Sequence, residues 1–203
     1  MLPPSSGKST SEKIIQAALA MFADSGYEGT SMSEIAKAVG IKTPSIYAHF
    51  KSKEQLFLQL TEEGKAEEQE AFQKCLKQSE EMAAKERIEQ AFDFFTDFSQ
   101  LTAGQSFLKR SMMVPPRHLR DQLRINFMAY ESELNVHLEQ LFIQGIEEGL
   151  FPRQDVKRMV AQFYNAIDGL MVEYQIYDDL LFHDRKRIIG ESLMRMWTAA
   201  ATT

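Results

Sequence analysis

Apolar residues recur along this chain every three or four positions, and no run alternates with period two for long enough to build a sheet. That pattern confines the chain to an all-α fold. Glycine and proline are few and fall where one periodic stretch stops and another starts. About nine helices follow, over 12–23, 31–39, 43–50, 53–79, 85–101, 104–113, 117–148, 155–178 and 184–199.

The first helices carry their own punctuation. Ile14, Ala18 and Phe22 form one stripe, which Ser25-Gly26 ends. Ser31 followed by Glu34 is a capping box, and Gly40 with Ile41 after it is a helix stop. Thr43 caps a third helix and Pro44 sits in its first turn, where no amide hydrogen is needed. Ile46 and Phe50 point inward, and Ser52 with Gln55 opens a long fourth helix. Its charged stretch from Glu62 to Glu70 reads as a solvated face.

Two short helices meeting at Val39-Gly40-Ile41-Lys42 have the form of a helix-turn-helix. In such a unit the second helix enters the DNA major groove by its amino-terminal end. Pro44, Ser45, Tyr47, Ala48, His49 and Lys51 lie away from the Ile46/Phe50 side. Unpaired amides at the starts of both helices suit phosphate, and Lys42, Lys51 and Lys53 add charge. A helical trio of this size also serves as a protein-binding module, with Tyr47 and Phe50 as core aromatics.

The stretch Gly26-Tyr27-Glu28-Gly29-Thr30-Ser31, then Ile35-Ala36, Val39-Gly40-Ile41, Ser45-Ile46-Tyr47, His49-Phe50 and Lys51-Ser52-Lys53-Glu54 with Leu56 resembles the DNA-binding domain of the TetR family. The resemblance covers about Glu12 to Leu60. It implies that Tyr47 and Lys53 contact phosphate, that Thr43, Pro44, Ser45, Ala48 and His49 face the groove, and that Ser31 and Ser33 touch the DNA backbone. No arginine lies on the recognition helix, so bidentate reading of guanine is not available there. Thymine methyls, backbone contacts and DNA shape are left to carry specificity. The implied organisation is a flexible tail over 1–9, a DNA-binding domain over 10–69, and an effector-binding and dimerisation domain over 70–203. The implied function is a ligand-responsive repressor that binds a palindromic operator as a homodimer. A nonspecific or architectural DNA-binding protein and a helical interaction module without DNA are the alternatives.

The rest of the chain matches that family in length and helical character only. Aromatic and Met stripes there suit a core, and the resemblance implies an effector pocket among the middle helices. Phe92, Phe95, Met112, Phe127 and Phe163 are assigned to it, for a small, largely apolar ligand. Arg117, Arg120 and Arg124 with His118 are suited either to an acidic head group or to one wet helix face. Wide apolar faces on the last two helices need a partner. Ile167, Leu170, Met171, Tyr174, Ile189, Leu193, Met196 and Trp197 are assigned to a dimer interface, and charge reversal at Leu193 is expected to give monomers.

Charge agrees with this division. Residues 1–60 carry six Lys against five acids, whereas the remainder carries 17 Lys and Arg against 24 acids, within a net charge of −6. A purely architectural DNA-binding protein is expected to be more basic. There is no glycine-rich phosphate loop, no nucleophile elbow and no Cys or His pair at metal spacing, so neither an enzyme nor a cofactor is expected. The only cysteine is Cys75, which fits a reducing compartment. No apolar run spans a membrane and the start lacks a signal-peptide core, so a cytoplasmic protein with no membrane partner is expected.

Overall fold

The computed structural model describes residues 9–199. Among them are nine α-helices, two short 3-10 turns and no strand. The helices are α1 (Thr10–Ser25), α2 (Met32–Val39), α3 (Thr43–Ile46), α4 (Lys53–Gln78), α5 (Ala84–Thr96), α6 (Ala103–Met113), α7 (Arg120–Glu147), α8 (Val156–Tyr174) and α9 (Asp179–Thr198). The tail expected over 1–9 lies, up to residue 8, outside the described residues; Ser9 caps α1, accepting from the Glu12 amide at 3.2 Å.

Several boundaries differ from the periodicity, each for a local reason. Helix α3 is α-helical for one turn only and reaches Phe50 through tighter turns. Thr43 does not cap it: Lys42 holds that position without a side-chain hydrogen bond. Helix α5 stops at Thr96, because Asp97 turns to φ −87° and ψ 75°, outside the helical region. Asp178 accepts from the Leu181 amide at 2.9 Å, so α9 starts at Asp179 and not at 184.

The chain forms two compact units. The first comprises residues up to Glu68 together with Leu101–Met128. Its core joins Ile14, Phe22, Ile35, Ile46, Phe50 and Leu56 to Phe107, Leu119 and Leu123, so α6 and the start of α7 complete the interior of the amino-terminal helices. Phe57 meets Phe22 and Phe107 edge-on at 5.2 and 4.9 Å. Helices α4 and α6 cross with their backbones almost touching: a Cβ on Gly64 would lie 2.5 Å from the Gly104 carbonyl oxygen.

The second unit comprises Gln69–Gln100 and the residues from Ala129 onward. Helix α5 packs there on α8 and α9. Its core is aromatic, with Trp197 edge-on to Phe142 at 4.9 Å and donating its Nε1 hydrogen to Gln162 at 2.8 Å. Cys75 is buried in this unit, and burial pushes its thiol above the usual range, away from the reactive thiolate. No helix among the described residues is long and apolar enough to cross a membrane.

Candidate nucleic-acid interface

The amino-terminal helices are locked by bonds that local chemistry dictates. Ser31 accepts from the Glu34 amide at 3.2 Å, and Glu34 accepts from the Ser31 amide at 2.9 Å, closing the capping box of α2. The Ser31 hydroxyl, and then its amide, hold the Glu34 carboxyl below the ordinary carboxylate range. At the far end Gly40 adopts φ 79° and ψ 26°, and the Ile41 and Gly40 amides donate to Ala36 and Lys37. That doubly bonded stop turns the chain directly into α3.

The residues on either side of α3 divide cleanly. Ile46 and Phe50 are buried, whereas Lys42, Pro44, Ser45, Tyr47, Ala48, His49 and Lys51 are exposed. Tyr47 is half exposed, at 50%. Ser33 is exposed at the start of α2, with its hydroxyl 3.1 Å from that of Ser31. Ser31 and Thr43 are half-buried. Lys42 and Lys51 make no ion pair among the described residues, so their charges are available to an outside anion.

Lys53 is placed differently. Its Nζ donates to the carbonyls of Tyr27 and Thr30 at 2.7 and 2.9 Å and sits over the Tyr27 ring. Two of its three hydrogens are therefore engaged within the protein. The loop it holds, between α1 and α2, has further locks. The Thr30 hydroxyl donates to the Gly26 carbonyl at 2.8 Å. Gly26 has φ 70°, and a Cβ on Gly29 would sit 2.3 Å from the Ser25 carbonyl oxygen. The density of Gly and Thr in that loop was the available signal.

The five residues assigned to one effector pocket do not line a single cavity. Met112 and Phe127 line a cavity of about 270 Å³ in the first unit, floored by Leu108 and Leu123. Phe92 and Phe163 line a cleft of about 580 Å³ in the second unit, rimmed by charged residues of α5 and α9. Phe95 is buried in that unit's core beside Phe72.

Of the residues assigned to a dimer interface, Ile167, Leu170, Leu193 and Trp197 are buried within the chain's own core. Met171, Tyr174 and Ile189 are half-buried, and Met196 is exposed. Helical period marks an apolar stripe but not which half of it faces inward. The outward half includes Val172, Leu181, Ile188 and Met196, each 44–47% exposed, and Leu180, 85% exposed. His118 meets the Tyr27 ring at a tilt, with centroids 5.1 Å apart, and no cluster of three metal-binding side chains occurs among the described residues.

Residues 14–60 match the family model described as bacterial regulatory proteins, tetR family. Over 48 residues the chain is 46% identical to the biofilm operon icaADBC HTH-type negative transcriptional regulator IcaR of Staphylococcus aureus (strain Newman). That stretch is 24% of this chain and 26% of the relative, so the chain spans about a quarter of the length of the curated relatives it matches. A TetR transcriptional regulator from Chloroflexus aurantiacus J-10-fl superposes with a TM-score of 0.73 at 25% identity, over 91% of this chain and 92% of that one. AibR, in complex with isovaleryl coenzyme A and operator DNA, gives a TM-score of 0.66 at 22% identity, over 94% and 98% of the two chains. The fold and the exposed face around α3 define an all-α helix-turn-helix protein. Within that class, residues 14–60 match the family model of tetR-family regulatory proteins, and the fold is similar to that of a TetR transcriptional regulator.

Proposed function

We propose that this chain is a transcriptional repressor that binds a palindromic operator as a homodimer and releases it when a small, largely apolar effector binds. The observation that carries the reading is the split around α3: Ile46 and Phe50 face inward, and seven small, polar or basic side chains from Lys42 to Lys51 face solvent together. Such a face fits a major groove, where Ala48 and Pro44 allow close approach and Lys42 and Lys51 meet phosphates. Ser31, Ser33, Thr43 and the third hydrogen of Lys53 extend the backbone contacts. Residues 10–69 form the DNA-reading domain in this reading, and 70–203 the domain for effector and partner. The protein acts on double-stranded DNA in the cytoplasm and is not an enzyme.

The outward apolar faces of α8 and α9 supply the dimer contact, because a palindrome requires two recognition helices set whole turns of DNA apart. Effector and operator then oppose each other: the effector must bind the non-DNA geometry better, and operator DNA must weaken effector affinity by the same factor.

Selection of genomic fragments with purified protein tests the reading, followed by affinity measurements at two salt concentrations. A recovered palindrome, bound by two chains and weakening steeply as salt rises, is expected. Weak binding with no enriched sequence would leave a nonspecific DNA-binding protein instead.

A further inference from the structure

We propose that the cavity lined by Met112 and Phe127 binds an acyl chain ending in an anion, with Arg120 and Arg124 taking the anionic end. The proposal rests on the reading of the chain as an effector-responsive regulator and gives that effector a chemical class. The cavity is formed within the first unit, by α4, α6 and the start of α7.

Its floor offers little to a polar ligand. Leu108 and Leu123 are buried there, with Met112, Pro115 and Phe127 half-buried above them. Two hydroxyls reach the cavity, and both already donate to their own helix: Thr61 to the Leu58 carbonyl and Ser111 to the Leu108 carbonyl, each at 2.7 Å. Asn126 is engaged on both ends, donating to Glu62 at 3.1 Å and accepting from Gln122 at 2.8 Å. A ligand that buried an amide or hydroxyl hydrogen here would find few open partners for it.

The edge is the opposite. Three cations line the cavity, Lys65, Arg120 and Arg124, and no carboxylate does. Lys65 is neutralised by Glu62 at 2.6 Å. Arg124 is held only loosely, 3.7 Å from Asp121, with 69% of its side chain exposed. Arg120 makes no ion pair among the described residues. Uncompensated guanidinium above an apolar floor selects an amphiphile with a negative head, since planar donors match carboxylate or phosphate oxygens. At roughly 30 Å³ per non-hydrogen atom in a liquid, a cavity of about 270 Å³ holds a tail of about nine atoms.

The position gives such a ligand something to act on. Leu123 belongs both to the cavity wall and to the core shared by Ile35, Ile46 and Phe50. Leu119, one residue before Arg120, is buried in that same core. A chain pressing on Leu123 therefore presses on the packing that sets α2 and α3.

Calorimetric titration of the full chain with octanoate, octanoyl coenzyme A, 1-octanol and octylamine tests the assignment. The expected result is that at least one anion binds about tenfold or more tighter than octanol or octylamine. Arg120→Gln should remove most of that margin and leave octanol unchanged, and Met112→Trp should weaken both. Binding of octanoate identifies a carboxylate head, and binding of the thioester alone identifies a phosphate-bearing one. Equal affinity for octanol and the anions, no binding by any probe, or an unaltered margin in Arg120→Gln overturns the proposal. Operator binding is measured on the same preparations without ligand. Loss of the ligand class with operator binding intact leaves the regulator standing, and the reverse result leaves the ligand site standing.

Discussion

Lys53 Nζ lies 4.0 Å from the centroid of the Tyr27 ring while donating to the carbonyl of that same tyrosine. The lysine thus holds the loop before α2 through the ring and carbonyl of Tyr27, and through the Thr30 carbonyl it ties that loop to the start of α4. Replacing it by methionine keeps the length and loses the charge-assisted bonds. Lys53→Met should cost about 2 kcal/mol in stability, read from the urea midpoint. Lys53→Arg should recover little of it, because a planar fork does not fit a site shaped for a compact ammonium.

The Ser31–Glu34 box has a pH signature. Its hydrogen bonds depress the Glu34 carboxyl in the folded state. A depressed carboxyl contributes stability that is fully present above the unfolded value, near about pH 4.3, and is lost as pH falls through the folded one. Glu34→Gln should therefore lower the thermal midpoint at about pH 7, and the gap to the parent should narrow as pH falls below the unfolded value. Ser31→Ala removes the other half of the box and should cost about 1 kcal/mol at neutral pH.

Gly64 tests the contact between α4 and α6. A methyl group there would meet the Gly104 carbonyl oxygen at 2.5 Å, and backbone cannot swing aside as a long side chain can. Gly64→Ala should destabilise by about 1–3 kcal/mol despite the better helix propensity of alanine. Since Thr61 and Lys65 border the cavity, affinity for an anionic amphiphile should fall in the same variant.

Leu193 and Ile188 separate folding from association. Leu193 is 8% exposed and Ile188 is 47% exposed on the same helix. Leu193→Glu buries an unpaired charge and should unfold the second unit, at a cost of about 3 kcal/mol or more. Ile188→Glu should leave the circular dichroism melt near that of the parent and give monomers in sedimentation. A folded Ile188→Glu dimer would remove the outward face of α8 and α9 from the proposed interface.

The features legible in the sequence are those made by neighbours in the chain. The box of Ser31 and Glu34, the stop at Gly40 and the inward pair Ile46 and Phe50 depend on residues three to five apart, and the structure has all of them. Contacts between distant segments left no periodic trace. Lys53 reaches back 26 residues to Tyr27. The first amide of α5, at Ala84, has no local cap and donates instead to Glu148, 64 residues on, at 2.9 Å. The cavity needs α4, α6 and α7 together, and residue type alone does not separate Met112 and Phe127 from Phe92, Phe95 and Phe163. Trp197 and Leu193 looked like partner-facing residues because an apolar stripe carries no mark of which neighbour will cover it.

Phe107, Leu119 and Leu123 sit in the same core as Phe22 and Phe57. This has a consequence for biosynthesis. The helix-turn-helix cannot complete its aromatic cluster when its own last residue leaves the ribosome; Phe22 and Phe57 lack their Phe107 neighbour until α6 has been made. The second unit waits longer still, because Trp197 closes its core near the carboxyl end. A nascent chain stalled before Leu123 presents an unfinished apolar surface, and that species is the one a chaperone would meet.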